Sequence, residues 1–271
     1  EAFSKPLYLH PIETVNKTQK NLGPTTRGTM SSVVGNFGVS ANHILNGGGV
    51  EPFFRNQEAI KVGNNWFVAD NKTWPLDGSV SFYAYAPYND PSFKLEDNKT
   101  IHYIVPADDI KKQPDFIVAK SEPKSFTSFS GNTPVDLKFH HALTAITFSV
   151  SDDMEKGVIN SIKIEGVKGE GDYNLSTKEW SVSSSSASYN VPISAGGLTV
   201  GSGTVNLAPN ATLMMIPQTL GDDAKVTINI TPTDKSAVDL TFDLKDTKWV
   251  AGNHVTYLLS TTKIIKLNMG S

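Results

Sequence analysis

The sequence predicts an all-β protein made of two tandem β-sandwich domains. Three observations carry that expectation. Apolar residues recur at every second position in seven separate runs, the pattern of strands with one face in a core and one in water. No window of about 12 residues carries an apolar stripe at helical spacing. Gly, Pro, Asn and Asp stand between the runs, as turns require. The 271 residues exceed the usual size of one domain, which points to two.

The elements follow in order. Phe3, Leu7 and Leu9 fall on one face of an N-terminal strand, and Pro6 and Pro11 exclude a helix there. Asn16 to Asn21 is polar and Gly23-Pro24 breaks the chain, so the first 27 residues read as a strand on a tether. The tether ends at Thr25-Thr26-Arg27-Gly28-Thr29, where an arginine in a turn-rich junction is open to a protease. Losing such a strand would uncover a sheet edge that a partner's strand can fill. The same residues also fit an ordinary frayed terminus with an incidental arginine.

Further strands are expected around Val80–Ala86, Leu137–Phe139, Ile146–Val150, Ile162–Ile164, Val226–Ile230, Leu240–Leu244 and Val255–Leu259. Ala107 to Lys112, confined by Pro106 and Pro114, is the one short helical candidate. Gly169-Glu170-Gly171-Asp172-Tyr173 reads as a turn, and Ser181 to Ser188 as a surface loop. The small-residue stretch Ser128 to Pro134 is the expected domain boundary, which divides the chain into 1–27, 28–132 and 133–271. At the end, Ile265, Leu267 and Met269 alternate with Lys266 and Asn268. That tail is either the last strand of its own sandwich or a strand that inserts into a neighbour's groove.

Composition excludes several classes. A net charge of -3 offers no basic field for nucleic acid. Zero cysteines exclude disulfides, thiolate metal sites and a cysteine nucleophile. No apolar run approaches the roughly 20 residues that cross a membrane as a helix. No leader stands at Glu1, so the chain is either cytosolic or an exported protein shown without one.

Catalytic and cofactor signatures are absent. There is no G-x-G-x-x-G on a strand–helix unit, no Walker loop, no H-E-x-x-H and no G-x-S-x-G. His140 and His141 are neighbours on an expected strand and point to opposite faces, so they do not share a metal. Asp108-Asp109, Asp152-Asp153 and Asp222-Asp223 lack calcium-loop spacing and read as solvated turn carboxylates. Neither enzyme nor cofactor is expected. Trp66, Trp74, Trp180 and Trp249 read as aromatic plugs, with sugar stacking as the alternative.

Several segments together resemble the fimbrillin-like family, the subunits and tip proteins of type V pili in anaerobic gut and oral bacteria. They include Thr26-Arg27-Gly28, Phe37 to Ala41, Trp74-Pro75, Val80 to Pro87, Val135 to Phe148, Met215 to Thr219, and Trp249 to Tyr257. The resemblance implies two transthyretin-like, Greek-key β-sandwiches. It implies export to the cell surface as an outer-membrane lipoprotein and cleavage by an arginine-specific protease at Arg27–Gly28. Assembly is then implied by exchange of the removable strand carrying Phe3, Leu7 and Leu9 for a neighbouring subunit's strand. In this chain the donor residues would be Ile265, Leu267 and Met269. The brevity of that tail leaves open a tip or adhesin-like subunit that accepts a strand without giving one. The implied partners are other pilus subunits, the protease, and a host glycan or protein receptor. The alternative reading is a cell-surface glycan-binding β-sandwich lipoprotein.

Overall fold

The computed structural model describes residues 2–15, 35–69, 73–125, 135–208 and 210–262. Among them the chain is all-β, with a single 3-10 turn at Ile110–Lys112. That turn is what remains of the expected helix. Asp109 caps it by accepting from the Lys111 N–H, and extended Gln113 ends it before Pro114.

One sheet belongs almost wholly to the first half. Its order is Asn65–Val68, Val50–Val62, Phe37–Ile44, Ser79–Ala86, Ile117–Lys120 and His140–His141. Ser79–Ala86 departs from the expectation of one wet face. Phe82, Ala84 and Ala86 enter one core, while Tyr83 and Tyr85, 6% and 3% exposed, enter the other. Both faces are covered, so period-2 spacing marks two cores here. Phe37–Ile44 is likewise buried along nearly its whole length.

A second sheet joins the halves. Its order is Glu179–Val182, Glu170–Asn174, Thr100–Ile104 and Phe93–Leu95. Here the expected turn at Gly169 to Tyr173 is a strand, with Asp172 opposite His102. The glycines serve close packing: a Cβ on Gly171 would sit 2.9 Å from the Ser181 carbonyl oxygen. The serine-rich stretch expected as a loop supplies the ends of two strands, Glu179–Val182 and Ser186–Val191. Leu137 is not in a strand, although Phe139 is buried and His140–His141 pairs with Ile117–Lys120.

Besides a two-stranded pairing of Gln218–Thr219 with Lys248–Trp249, two larger sheets face each other across the main core. One runs Tyr8–Val15, Asn253–Ser260, Thr144–Val150 and Val205–Asn206, with Leu213–Met215 also on Thr144–Val150. The other runs Ser186–Val191, Gly157–Lys168, Lys225–Pro232 and Val238–Asp243, with Leu198–Val200 on Gly157–Lys168. Phe148, Tyr257 and Leu259 from one sheet share a core with Ile162, Ile228 and Ile230 from the other. That core extends into the first half through Tyr103 and Phe116. The expected junction at 132/133 lies outside the described residues. Strands from its two sides pair at Ile117–Lys120 with His140–His141 and at Thr100–Ile104 with Glu170–Asn174.

Candidate functional site

The N-terminal segment closes one side of the second-half sandwich. Tyr8–Val15 runs antiparallel to Asn253–Ser260, from Tyr8 opposite Ser260 to Val15 opposite Asn253. It stands at the end of its sheet. Pro11, opposite Tyr257, fits that place, because an edge strand leaves one row of its backbone donors without a ladder partner.

The two faces of this strand differ. Leu9 stands opposite Leu259, which is 1% exposed, and packs partly buried against the core, while Pro11 and Glu13 further along the strand are exposed. Leu7 precedes the strand, and Phe3 comes before a bend at Ser4–Lys5. Phe3, Leu7 and Leu9 are all partly buried against the main core. On the even positions Tyr8 stacks on His10, and Ile12 is 44% exposed.

Polar contacts pin the segment at both ends. The Ser4 N–H donates to Glu155 Oε1 at 2.7 Å, and the Ser4 hydroxyl donates to the same oxygen. These bonds hold the Glu155 carboxyl below its usual range. Lys235 Nζ donates to the Ala2 carbonyl at 2.9 Å, and Asn253 Nδ2 to Glu13 Oε1 at 3.1 Å. His10 Nε2 lies 2.6 Å from the Thr262 carbonyl oxygen, which accepts from it.

Residues 2–7 cross toward Val238–Asp243, the last strand in the order of the opposite sheet. A cleft of about 510 Å³ lies between them, with Phe3 and Leu7 on one wall and Leu240 and Phe242 on the other. Thus one segment faces the edges of both sheets. Its apolar side chains line the cleft between those edges.

The far end of Asn253–Ser260 is moored by Asp153. Its carboxylate accepts from the Ser260 hydroxyl at 2.7 Å, the Thr261 N–H at 3.1 Å and the Thr262 hydroxyl at 2.9 Å. Burial opposes ionisation, but these donors outweigh it and hold the Asp153 carboxyl well below the usual range. The sequence showed only a turn carboxylate here, since its partners lie more than a hundred residues away.

Arg27 and Gly28, and the tail residues Ile265, Leu267 and Met269, lie outside the described residues. The chain contains one other arginine, Arg55. Arg55 sits within Val50–Val62 and donates from Nη2 to the carbonyls of Leu95, at 2.7 Å, and Glu96, at 3.2 Å.

The other candidate groups take structural places. His141 is buried and its Nδ1 lies 2.9 Å from Asp115 Oδ1. His102 bridges Asp172 and Glu170 on the shared sheet. Among the described residues no three His, Asp or Glu side chains converge as a metal cluster. Trp249 is buried and its Nε1 donates to Tyr257 Oη at 3.0 Å. Trp180 donates to the Ala142 carbonyl at 2.8 Å within a cluster that includes Tyr103, Phe116 and Tyr173. The rings of Trp66 and Trp74 pack 4.9 Å from Phe37 and 5.7 Å from Phe82.

Fold and site together define an all-β sandwich protein whose own N-terminal strand completes one of its sheets. A family model described as fimbrillin-like matches residues 26–271, and the chain belongs to that family. Among curated proteins none matches it. Solved structures share the fold. A candidate cell adhesion protein from Bacteroides uniformis ATCC 8492 matches with a TM-score of 0.54 at 17% identity, over 93% of this chain and 95% of its own. A second, from Bacteroides ovatus ATCC 8483, matches with a TM-score of 0.53 at 15% identity, over 93% and 92%.

Proposed function

We propose that this chain is a structural or tip subunit of a cell-surface pilus, matured by cleavage after Arg27 and assembled by strand exchange. One observation carries the reading: residues 2–15 cover the edge of Asn253–Ser260 with a single strand whose Phe3, Leu7 and Leu9 pack partly buried against the core. Removal of that segment uncovers the backbone of Asn253–Ser260 and the apolar side chains behind it. A neighbouring subunit's strand then pairs with the same edge, its alternate side chains taking the vacated places. Until cleavage the segment prevents premature polymerisation, as covered edges do elsewhere.

The family match supports this reading because it begins at residue 26, beside Arg27–Gly28. Arg55 supports it too, since its backbone lies in a strand and its guanidinium is bound, leaving Arg27 as the other arginine for a protease. The groove belongs to the 133–271 unit, and the 28–132 unit is carried beside it. The tail with Ile265, Leu267 and Met269 is the donor strand of a structural subunit, whereas a tip subunit accepts a strand without giving one. The partners are other pilus subunits, an arginine-specific protease, an outer-membrane lipid anchor before maturation, and a host receptor for a tip position.

Limited digestion with an arginine-specific protease tests the proposal. Mass spectrometry should find a first cut after Arg27, with the fragment retained until mild denaturation. Protein stripped of the fragment should then take up a strand in its place, forming with a synthetic peptide of residues 1–15 a complex that survives an unboiled denaturing gel. A first cut at Arg55, or a stripped protein that takes up no strand, contradicts the proposal.

A further inference from the structure

The segment now in the groove shows what the groove selects. Its apolar side chains are spaced i, i+4, i+6: Phe3, Leu7 and Leu9. Leu9 lies on the strand ladder and Leu7 just before it, so any alternating strand could supply them. Phe3 is different. It stands beyond the bend at Ser4–Lys5 and off the ladder, lining the cleft with Leu240 and Phe242 of the opposite sheet. A strand that only alternates cannot fill that position unless a large apolar side chain falls four residues ahead of its first knob.

We infer that the Phe3 position is a specificity subsite, filled by a strand of a different chain in preference to residues 261–271 of a second copy. This inference rests on the strand-exchange reading above. The subsite favours an extended segment with large apolar residues at i, i+4 and i+6, running in the direction of Tyr8–Val15. Residues 261–271, Thr-Thr-Lys-Ile-Ile-Lys-Leu-Asn-Met-Gly-Ser, contain no such triplet. Placing Leu267 and Met269 where Leu7 and Leu9 sit brings Lys263 to the Phe3 subsite. Placing Ile265 and Leu267 there brings Thr261 to it, a residue already held by Asp153. A lysine there gives up the apolar contact that Phe3 makes with Leu240 and Phe242, and its ammonium turns out toward Asp239 and solvent.

The test uses protein cleaved after Arg27 and freed of its fragment, with synthetic peptides as probes. A peptide of residues 1–15 should rebind, and its Phe3→Ala version should bind about five- to tenfold more weakly, the effect of partly burying one phenylalanine. Its Ile12→Ala version should bind within about twofold, since Ile12 is on the outer face. A peptide of residues 261–271 should bind more weakly than residues 1–15, and Lys263→Phe should recover about five- to tenfold. In the intact chain, Phe3→Ala should speed fragment release after cleavage by a similar factor. Equal binding with and without Phe3, or no gain from Lys263→Phe, overturns the subsite. Failure of the unsubstituted 1–15 peptide to rebind overturns the groove itself, and the subsite with it.

Discussion

Replacing Leu7 and Leu9 together by alanine isolates the apolar contribution that retains the N-terminal segment. Full burial of a leucine is worth about 1.5–3 kcal/mol. Both residues are partly buried against the core, so each should contribute about 1.5 kcal/mol and the pair about 3 kcal/mol. They lie two residues apart on one face and share neighbours, so their effects need not add and the double variant is the sound comparison. After cleavage at Arg27 the segment is held only by non-covalent contacts. A loss of about 3 kcal/mol then speeds its dissociation by about 150-fold. The assay follows a fluorophore on Glu1 as the cleaved fragment leaves, with excess unlabelled 1–15 peptide as trap. Ile12→Ala is the control, because it sits on the same strand but points outward and is 44% exposed. The reasoning is refuted if the double variant leaves at the original rate, or if Ile12→Ala matches it.

Three further outcomes are expected. With no native cysteine, Ile12→Cys with Thr256→Cys gives one unambiguous disulfide between opposed residues about 4.5–5.5 Å apart at Cα. Oxidised, this pair should hold the fragment through denaturation and block uptake of added 1–15 peptide after cleavage, and reductant should reverse both effects. Asp153→Asn should cost about 1–3 kcal/mol in chemical denaturation at pH 7, because it removes charge-assisted bonds to Ser260, Thr261 and Thr262. The depressed pKa means that the original protein keeps this contribution above about pH 3.9 and loses it as pH falls toward the folded value, so the two proteins should converge in acid. His43 faces the Asp77 carbonyl at 2.9 Å and the Glu51 carboxylate at 3.0 Å, and these acceptors raise its pKa. Its contribution is complete below about pH 6.5 and lost as pH rises through the raised folded value. Stability should therefore fall as pH rises above about 6.5, and His43→Gln should flatten that slope.

The alternating runs at Ile162–Ile164, Val226–Ile230, Leu240–Leu244 and Val255–Leu259 all correspond to strands with one face more buried than the other, and Ile146–Val150 lies in a strand as well, although Thr147 on its other face is only 1% exposed. Alternation fails as a guide where both faces are buried. In Phe37–Ile44, Phe37, Val39 and Ala41 alternate into one core, but the polar Ser40, Asn42 and His43 are buried too, because they meet partners inside. Asn98, for example, donates to Asn42 Oδ1 at 2.8 Å and to the Ala41 carbonyl at 2.9 Å. The shared sheet was hidden for a different reason. Glu170–Asn174 pairs with a strand some seventy residues earlier, and its glycines resemble turn signals until the close approach to Ser181 is seen. At the candidate site, Leu7 and Leu9 were legible as inward positions, and Pro11 as an extended one. The bend that takes Phe3 off the ladder was not, nor were Glu155, Lys235 and Asp153, whose roles depend on contacts more than a hundred residues apart.

The central claim is that residues 2–15 are a plug on the edge of Asn253–Ser260. Along that strand successive amides point to opposite neighbours, one set toward Tyr8–Val15 and the other toward Thr144–Val150. Amide hydrogen exchange by NMR, before and after removal of the cleaved fragment, measures this directly. Alternate amides of Asn253–Ser260 should lose protection while those facing Thr144–Val150 keep it. Unchanged protection along the whole strand would show that the edge was never covered. Loss of protection throughout the sandwich would show that the segment is part of the fold and not a removable plug.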